Sequence, residues 1–302
     1  MLETLPKAIS LYEPMGLSGD RRITQRFPMP GEPDFSRLDL ATFVDDLRHL
    51  RLRYHSQRRD AAVASPMRRA MIRLIGTRAL ATYRIAKLMP YRQTLIWKDP
   101  LAVFCIPEGA DNDFRSVVTF RPPLAQAASY RRLGWLPKIR EIYDRYRSVY
   151  GAVAVVEDRL DQLEFDSVGA GALLWHLIHL RLLNLSGASL ETAYLFAPAV
   201  TGESEAVAYE HLFHWLGYDM PARAQALLAE RQAGVGRDVP KSGKTHDWNR
   251  TAEQANSYWN KVLSEDEACL VRDVNDDLWN EVQGVIQTRR AFSAGAEVAV
   301  RG

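Results

Sequence analysis

The sequence predicts an α/β fold, a mainly parallel sheet with helices on both faces. Two observations carry that prediction. Short apolar runs at Lys7–Tyr12 (KAISLY), Thr94–Trp97 (TLIW) and Arg115–Phe120 (RSVVTF) alternate with longer stretches of helical spacing. Each run also ends on charge followed by proline: Glu13-Pro14, Lys98-Asp99-Pro100 and Arg121-Pro122-Pro123. Proline removes a ladder donor and so ends a strand.

A Pro- and Gly-rich loop, Pro14 to Pro33, follows the first strand. Leu38 to Leu52 has helical spacing with an Asp-rich start, and Met67 to Met89 continues as a basic amphipathic helix. Past the third strand, helical patterns cover Leu124–Leu133, Leu136–Tyr150, Gly169–Leu183 and Glu205–Leu216, with a weaker strand at Glu191–Leu195. The tail holds two more helices, Thr251–Leu263 and Ser264–Gln287, and Gly234–Lys244 is the clearest polar loop.

The 302 residues are 47% hydrophobic and 25% charged, enough to bury a large core, and are expected to form one domain over 1–302. Lys+Arg exceed Asp+Glu by 39 − 37 = 2, so no overall charge recruits nucleic acid or a membrane. Cys105 and Cys269 make no disulfide framework, which favours a reducing compartment. Ala170 to Leu185 contains His176, His179 and Arg181 and is too short and polar to span a bilayer. MLETLPKAIS has no apolar signal core. A cytoplasmic location is the expectation.

Ligands of parallel sheets collect at the carboxyl ends of the strands. Three such ends with charge, two of them cationic, suggest a shared anion site. Arg121, at a strand end, precedes Ser129 by eight residues, so both can approach one phosphate, the arginine with a planar fork of donors and the serine with a neutral hydroxyl. A surface arginine beside a helix-facing serine is the alternative that spacing leaves open. Lys241-Ser242-Gly243-Lys244-Thr245-His246-Asp247-Trp248 offers two cations and a glycine whose backbone can wrap a phosphate, or else a solvated loop. No apolar strand precedes it, so it is not a strand–loop–helix phosphate loop. Glu13, at the first strand end, can serve as a general base if it faces the ligand crevice. The pairs His176/His179 and His211/His214 have chelating i,i+3 spacing, but both sit in apolar helices without a fuller zinc pattern and read as core or boundary residues.

Taken in order, these segments resemble the PAPS-dependent sulfotransferases. LYEPMG (Leu11–Gly16) is similar to the LYEP segment of carbohydrate sulfotransferases, and WKDPL (Trp97–Leu101) to the KDP strand end of many bacterial members. RPPLAQAASYRRLG resembles the 3′-phosphate motif, an arginine with a serine eight residues on. KSGKTHDW aligns with the late R-K-G-x-x-G-D-W segment, with Lys241 for arginine, Ser242 for lysine and His246 for the second glycine. ANSYWNKVLSEDE (Ala255–Glu267) is similar to the closing helix.

The resemblance implies a P-loop-like three-layer fold with a central, mainly parallel sheet flanked by helices. It implies transfer of a sulfuryl group from PAPS to a hydroxyl or amine of a small-molecule or carbohydrate acceptor, leaving PAP. Arg121 and Ser129 would hold the 3′-phosphate, with Lys241, Gly243 and Lys244 closing over it. Glu13 would take the acceptor proton and Lys98 would contact the sulfuryl or bridging oxygen. The family's alternative base, a histidine two residues after such a lysine, is Pro100 here. The family's first strand and its [R/K]-S-G-[T/S]-[T/S] loop do not precede LYEP, so the chain reads as starting downstream of them, the alternative being a degenerate relative that has lost them. A sulfotransferase-like protein that binds PAP or a partner without catalysis is the other reading.

Overall fold

The computed structural model describes residues 1–33, 39–55, 77–89, 91, 94–106, 114–162, 166–185, 193–233 and 250–300. The chain divides into two compact units. The first comprises Met1–Ile106 with Arg145–Gly151, the second Pro107–Asp144 with Ala152–Gly302.

In the first unit, β1 (Ala8–Tyr12) and β2 (Thr94–Lys98) pair in parallel, Ala8 opposite Thr94 and Tyr12 opposite Lys98. Both strands lie where the apolar runs predict them. The ladder runs one step further, because the Glu13 N–H donates to the Lys98 carbonyl at 2.9 Å. Helix α1 (Leu40–Arg48) starts at Asp39, whose carboxylate accepts the N–H groups of Ala41 and Thr42. Its Phe43, Val44 and Leu47 are buried, and Phe43 lies 5.8 Å from the Trp97 ring. Helix α2 (Arg78–Leu88) is capped by Thr77 and closes the unit with Tyr83 stacked on Tyr54 at 4.6 Å. The continuous basic helix expected over Met67–Met89 is corrected at Thr77, whose extended backbone starts α2 afresh, and residues 67–76 lie outside the described set.

The long loop after β1 is held by buried polar anchors. Asp20 is fully buried and accepts the backbone N–H groups of Arg22 (2.9 Å) and Arg53 (2.8 Å) besides pairing with the Arg22 guanidinium. Arg145 donates to Glu32 Oε1 at 2.8 Å and to the carbonyls of Phe27 and Arg26. Each buried charge thus meets an opposite charge or several donors, the condition under which burying it is tolerated.

In the second unit, β3 (Val117–Thr119) and β4 (Tyr194–Phe196) also pair in parallel. The expected weak strand begins three residues late, and residues 191 and 192 lie outside the described set. The helices are α3 (Pro123–Leu133), α4 (Ile139–Tyr150, in the first unit from Arg145), α5 (Ala154–Gln162) and α6 (Ser167–Leu183). After β4 come the short α7 (Pro198–Thr201), α8 (Glu205–Trp215), α9 (Ala222–Ala233), α10 (Ala252–Ser257) and α11 (Glu265–Val300). The single tail helix expected over Thr251–Leu263 is broken: α10 passes into a 3-10 turn at Tyr258–Lys261 before α11 begins.

Helix α6 is the core of this unit. Asp166 caps it by accepting the Gly169 N–H at 2.7 Å, and residues 168–177 are all buried. A helix apolar all round must be covered all round, and α3 and α11 do so: Ala127 of α3, Val168 and Ala172 of α6 and Val271 of α11 form one cluster. Gly171 permits the α3 approach, since a Cβ there would lie 3.2 Å from the Tyr130 ring. His176 and His179 are buried as expected, and burial lowers the pKa of both, that of His179 to about 3. Each hydrogen-bonds through Nδ1 to a carbonyl, His176 to Val274 and His179 to Trp175. His211 and His214 correct the core-or-boundary expectation. The buried side of α8 is Ala208, Leu212 and Phe213, so both histidines face outward, exposed.

Among the described residues no helix is long and apolar enough to cross a membrane.

Candidate functional site

In the second unit the β3–α3 connection sets the position of Arg121. The Phe120 N–H donates to the Phe196 carbonyl at 3.1 Å, so pairing persists to the residue before Arg121. Pro122 and Pro123 then force an extended backbone and the first helical turn. The indole N–H of Trp175 fixes the Arg121 carbonyl at 2.9 Å. Two helical turns into α3, Ser129 returns to the same place.

The two residues singled out by their spacing meet: Arg121 Nη1 donates to Ser129 Oγ at 2.8 Å, and Nη2 to the Ala255 carbonyl at 2.9 Å. Ser129 Oγ also shares a hydrogen with the Tyr258 hydroxyl at 2.7 Å. Tyr258 is buried, with the Arg250 guanidinium 4.5 Å and that of Arg121 5.8 Å from its ring centroid. Burial, opposed by Tyr258 and reinforced by the Arg132 charge, pulls the Arg121 pKa below its usual value. No carboxylate among the described residues contributes to that shift. A desolvated arginine with cationic neighbours and a hydroxyl at its fork is suited to an anion with several acceptor oxygens.

In the first unit, Glu13 and Asp99 follow β1 and β2 directly, and the register that sets Tyr12 against Lys98 brings the two acids to neighbouring strand ends. Glu13 has φ +45°, a left-handed conformation that a residue with a Cβ rarely adopts. The turn is fixed by the Gly16 N–H donating to the Glu13 carbonyl at 2.9 Å. It leaves room only for glycine at 19, where a Cβ would lie 2.1 Å from the Pro14 carbonyl oxygen. Lys98 Nζ lies 4.9 Å from the Tyr12 ring centroid.

Asp99 accepts three N–H groups: Met15 (2.6 Å) and the Trp97 indole (3.4 Å) at Oδ2, and Leu101 (3.0 Å) at Oδ1. Desolvation outweighs these bonds and, with the Glu13 charge, pushes its pKa up to about 6. The unit therefore holds a carboxylate on a strained turn beside a second whose pKa desolvation raises to about 6, the makings of acid–base chemistry.

Lys241, Gly243 and Lys244 lie outside the described residues. The sequence patterns assign no role to Asp99, Arg250 or Tyr258. Asp before Pro at a strand end is a legible cap for the turn Pro100–Cys105 that follows, and Asp99 makes that cap. Tyr258 lies in the ANSYWN segment, but nothing local shows that it reaches Ser129 across 129 positions. Among the described residues no group of three or more His, Cys, Asp or Glu side chains could hold a metal ion. Comparisons with family models, curated proteins and solved structures found no match for the chain.

Proposed function

We propose that this chain is a PAPS-dependent sulfotransferase with a P-loop-like three-layer fold. It would move a sulfuryl group from PAPS to a hydroxyl or amine of a small-molecule or carbohydrate acceptor. The observation that carries the reading is the meeting of Arg121 with Ser129 beyond the carboxyl end of a parallel strand. The order of the motifs along the chain supports it.

In this reading the 3′-phosphate takes hydrogen bonds from the Arg121 fork and the Ser129 hydroxyl in exchange for those now made to Ala255 and Tyr258. The resemblance assigns Lys241, Gly243 and Lys244 to the same phosphate. Sulfuryl transfer, like phosphoryl transfer, is in-line displacement governed by positioning and by neutralising charge on the leaving group. The acceptor O–H or N–H gives its proton to Glu13 as its oxygen or nitrogen bonds to sulfur, and the bond from sulfur to the phosphate oxygen breaks to leave PAP. Lys98 stabilises charge at the sulfuryl or bridging oxygen.

Calorimetry with PAP tests the reading. Arg121→Ala is expected to lose a charge-assisted hydrogen bond and weaken PAP by about 1.5–3 kcal/mol, roughly 10- to 150-fold in Kd. Equal affinity in a folded variant would remove the phosphate from Arg121.

A further inference from the structure

The acid at the second strand end has no role in the function just described. Asp99 sits where β2 stops, and its Oδ2 accepts the N–H of Met15, two residues beyond Glu13 and 84 positions from Asp99 in sequence. That bond, the Glu13 N–H to the Lys98 carbonyl and the Gly16 N–H to the Glu13 carbonyl hold Glu13 from both sides. The strained φ of Glu13 persists only if its surroundings over-determine it. Of these three bonds, only the one from Met15 is made to a side chain, and so only it can be altered by substitution without touching the backbone.

We propose that Asp99 is the positioning residue for Glu13: its carboxylate fixes Met15 and thereby the left-handed turn that presents the Glu13 carboxyl group. The inference rests on Glu13 being the base of the proposed transfer. Both Asp99 oxygens are committed to N–H groups and the residue is only partly exposed, so it acts through the turn and does not touch the acceptor. The titratable groups that act on it or feel its charge are Glu13, Tyr54, which lies beyond α1 and bridges to Asp20, and Cys105 of the turn it caps.

The arrangement gives the turn a pH dependence. Asp99 binds its proton more tightly in the fold than an ordinary aspartate, so its ionisation costs stability as pH rises from about 4 to about 6. Once ionised, it makes the Met15 bond charge-assisted and shorter. As pH falls through about 6, that bond weakens and the turn loosens.

The experiment has two arms. In the first, the full-length protein is labelled with 15N-methionine and the Met15 amide is assigned by Met15→Leu. The Met15 signal is expected downfield and to move upfield as pH falls, with a midpoint near 6. In Asp99→Asn it is expected not to titrate. A Met15 amide insensitive to pH in the wild-type protein overturns the proposal, and that measurement needs no variant to fold.

In the second arm, with PAPS and an acceptor, Asp99→Asn is expected to lower kcat by roughly 10- to 100-fold through misplacement of the base. PAP affinity should be unchanged, and the ionisation near pH 6 should vanish from the kcat profile. An unchanged kcat and profile, in a protein that transfers sulfuryl groups, overturns the positioning role. A titrating Met15 amide in a protein that transfers nothing would uphold Asp99 as the residue that fixes the turn and remove the sulfotransferase reading instead.

Discussion

Glu13→Gln is expected to lower sulfuryl transfer in the full-length protein by roughly 10²–10⁴-fold, the usual range for losing a general base. The substitution isolates proton transfer from structure. Glutamine has nearly the same size and can adopt the same φ, and the bonds that fix the turn run through the backbone N–H of Glu13 and its carbonyl. The fold and PAP affinity should therefore remain while kcat falls. The amide cannot take a proton from the acceptor, so raising the pH should not restore the rate. Transfer from radiolabelled PAPS at several acceptor concentrations makes the measurement. Wild-type turnover in Glu13→Gln would move the role to another residue or to the acceptor itself.

Trp175→Ala is expected to destabilise the second unit by about 3–5 kcal/mol, as for large aromatic side chains removed from a core. Trp175 is fully buried, stacks on His179 at 3.7 Å between ring centroids and meets Trp279 edge-on at 5.9 Å. Alanine leaves a cavity that no neighbour on α6 can fill, because the helix is already packed on its faces. It also strands the Arg121 carbonyl, whose donor is the indole N–H. Trp175→Phe keeps most of the ring and loses the donor, and about 1–3 kcal/mol is expected from the unmade hydrogen bond. Chemical denaturation followed at equilibrium separates the two variants. A loss below about 1 kcal/mol in Trp175→Ala would mean that the core closes over the gap.

The strands were legible because each apolar run is short and stopped by charge and proline. The runs at Ala8–Tyr12 and Thr94–Lys98 match the expectation to within a residue or two. Helix α3 was legible at both ends for similar reasons, with prolines at its start and Gly134 in the left-handed conformation at its stop. Three helices carry no clear signal in the sequence, the one-turn α7 (Pro198–Thr201) among them. In α9 only Ala224 and Leu228 are buried, a single i,i+4 pair and too narrow a stripe to stand out. Helix α5 opens on Ala-Val-Val, which reads as readily as strand.

The site was half legible. Spacing proposed the Arg121–Ser129 pair, since eight residues across a strand end and two helical turns is a local relation. Asp99 stood in view, yet its importance comes from desolvation and from Met15, and neither is visible in the neighbouring letters. Tyr258 and Arg250 come from the far end of the chain.

The left-handed residues are unevenly shared between the units. In the first unit Lys7, Glu13, Phe27 and Leu50 all have positive φ, whereas the described positive-φ positions of the second are the glycines 134, 202 and 217. Each non-glycine residue held there costs about 1–2 kcal/mol. The first unit thus starts with a handicap that the second does not share, and the margin separating native from unfolded chain is only about 5–15 kcal/mol. Heat should find that difference. A calorimetric scan is expected to resolve two steps, the lower belonging to the half that carries Glu13. Lys7→Gly, at an exposed position away from the turn, should move only the lower step upward. Warming would then release the strained Glu13 turn before it parts Arg121 from Ser129.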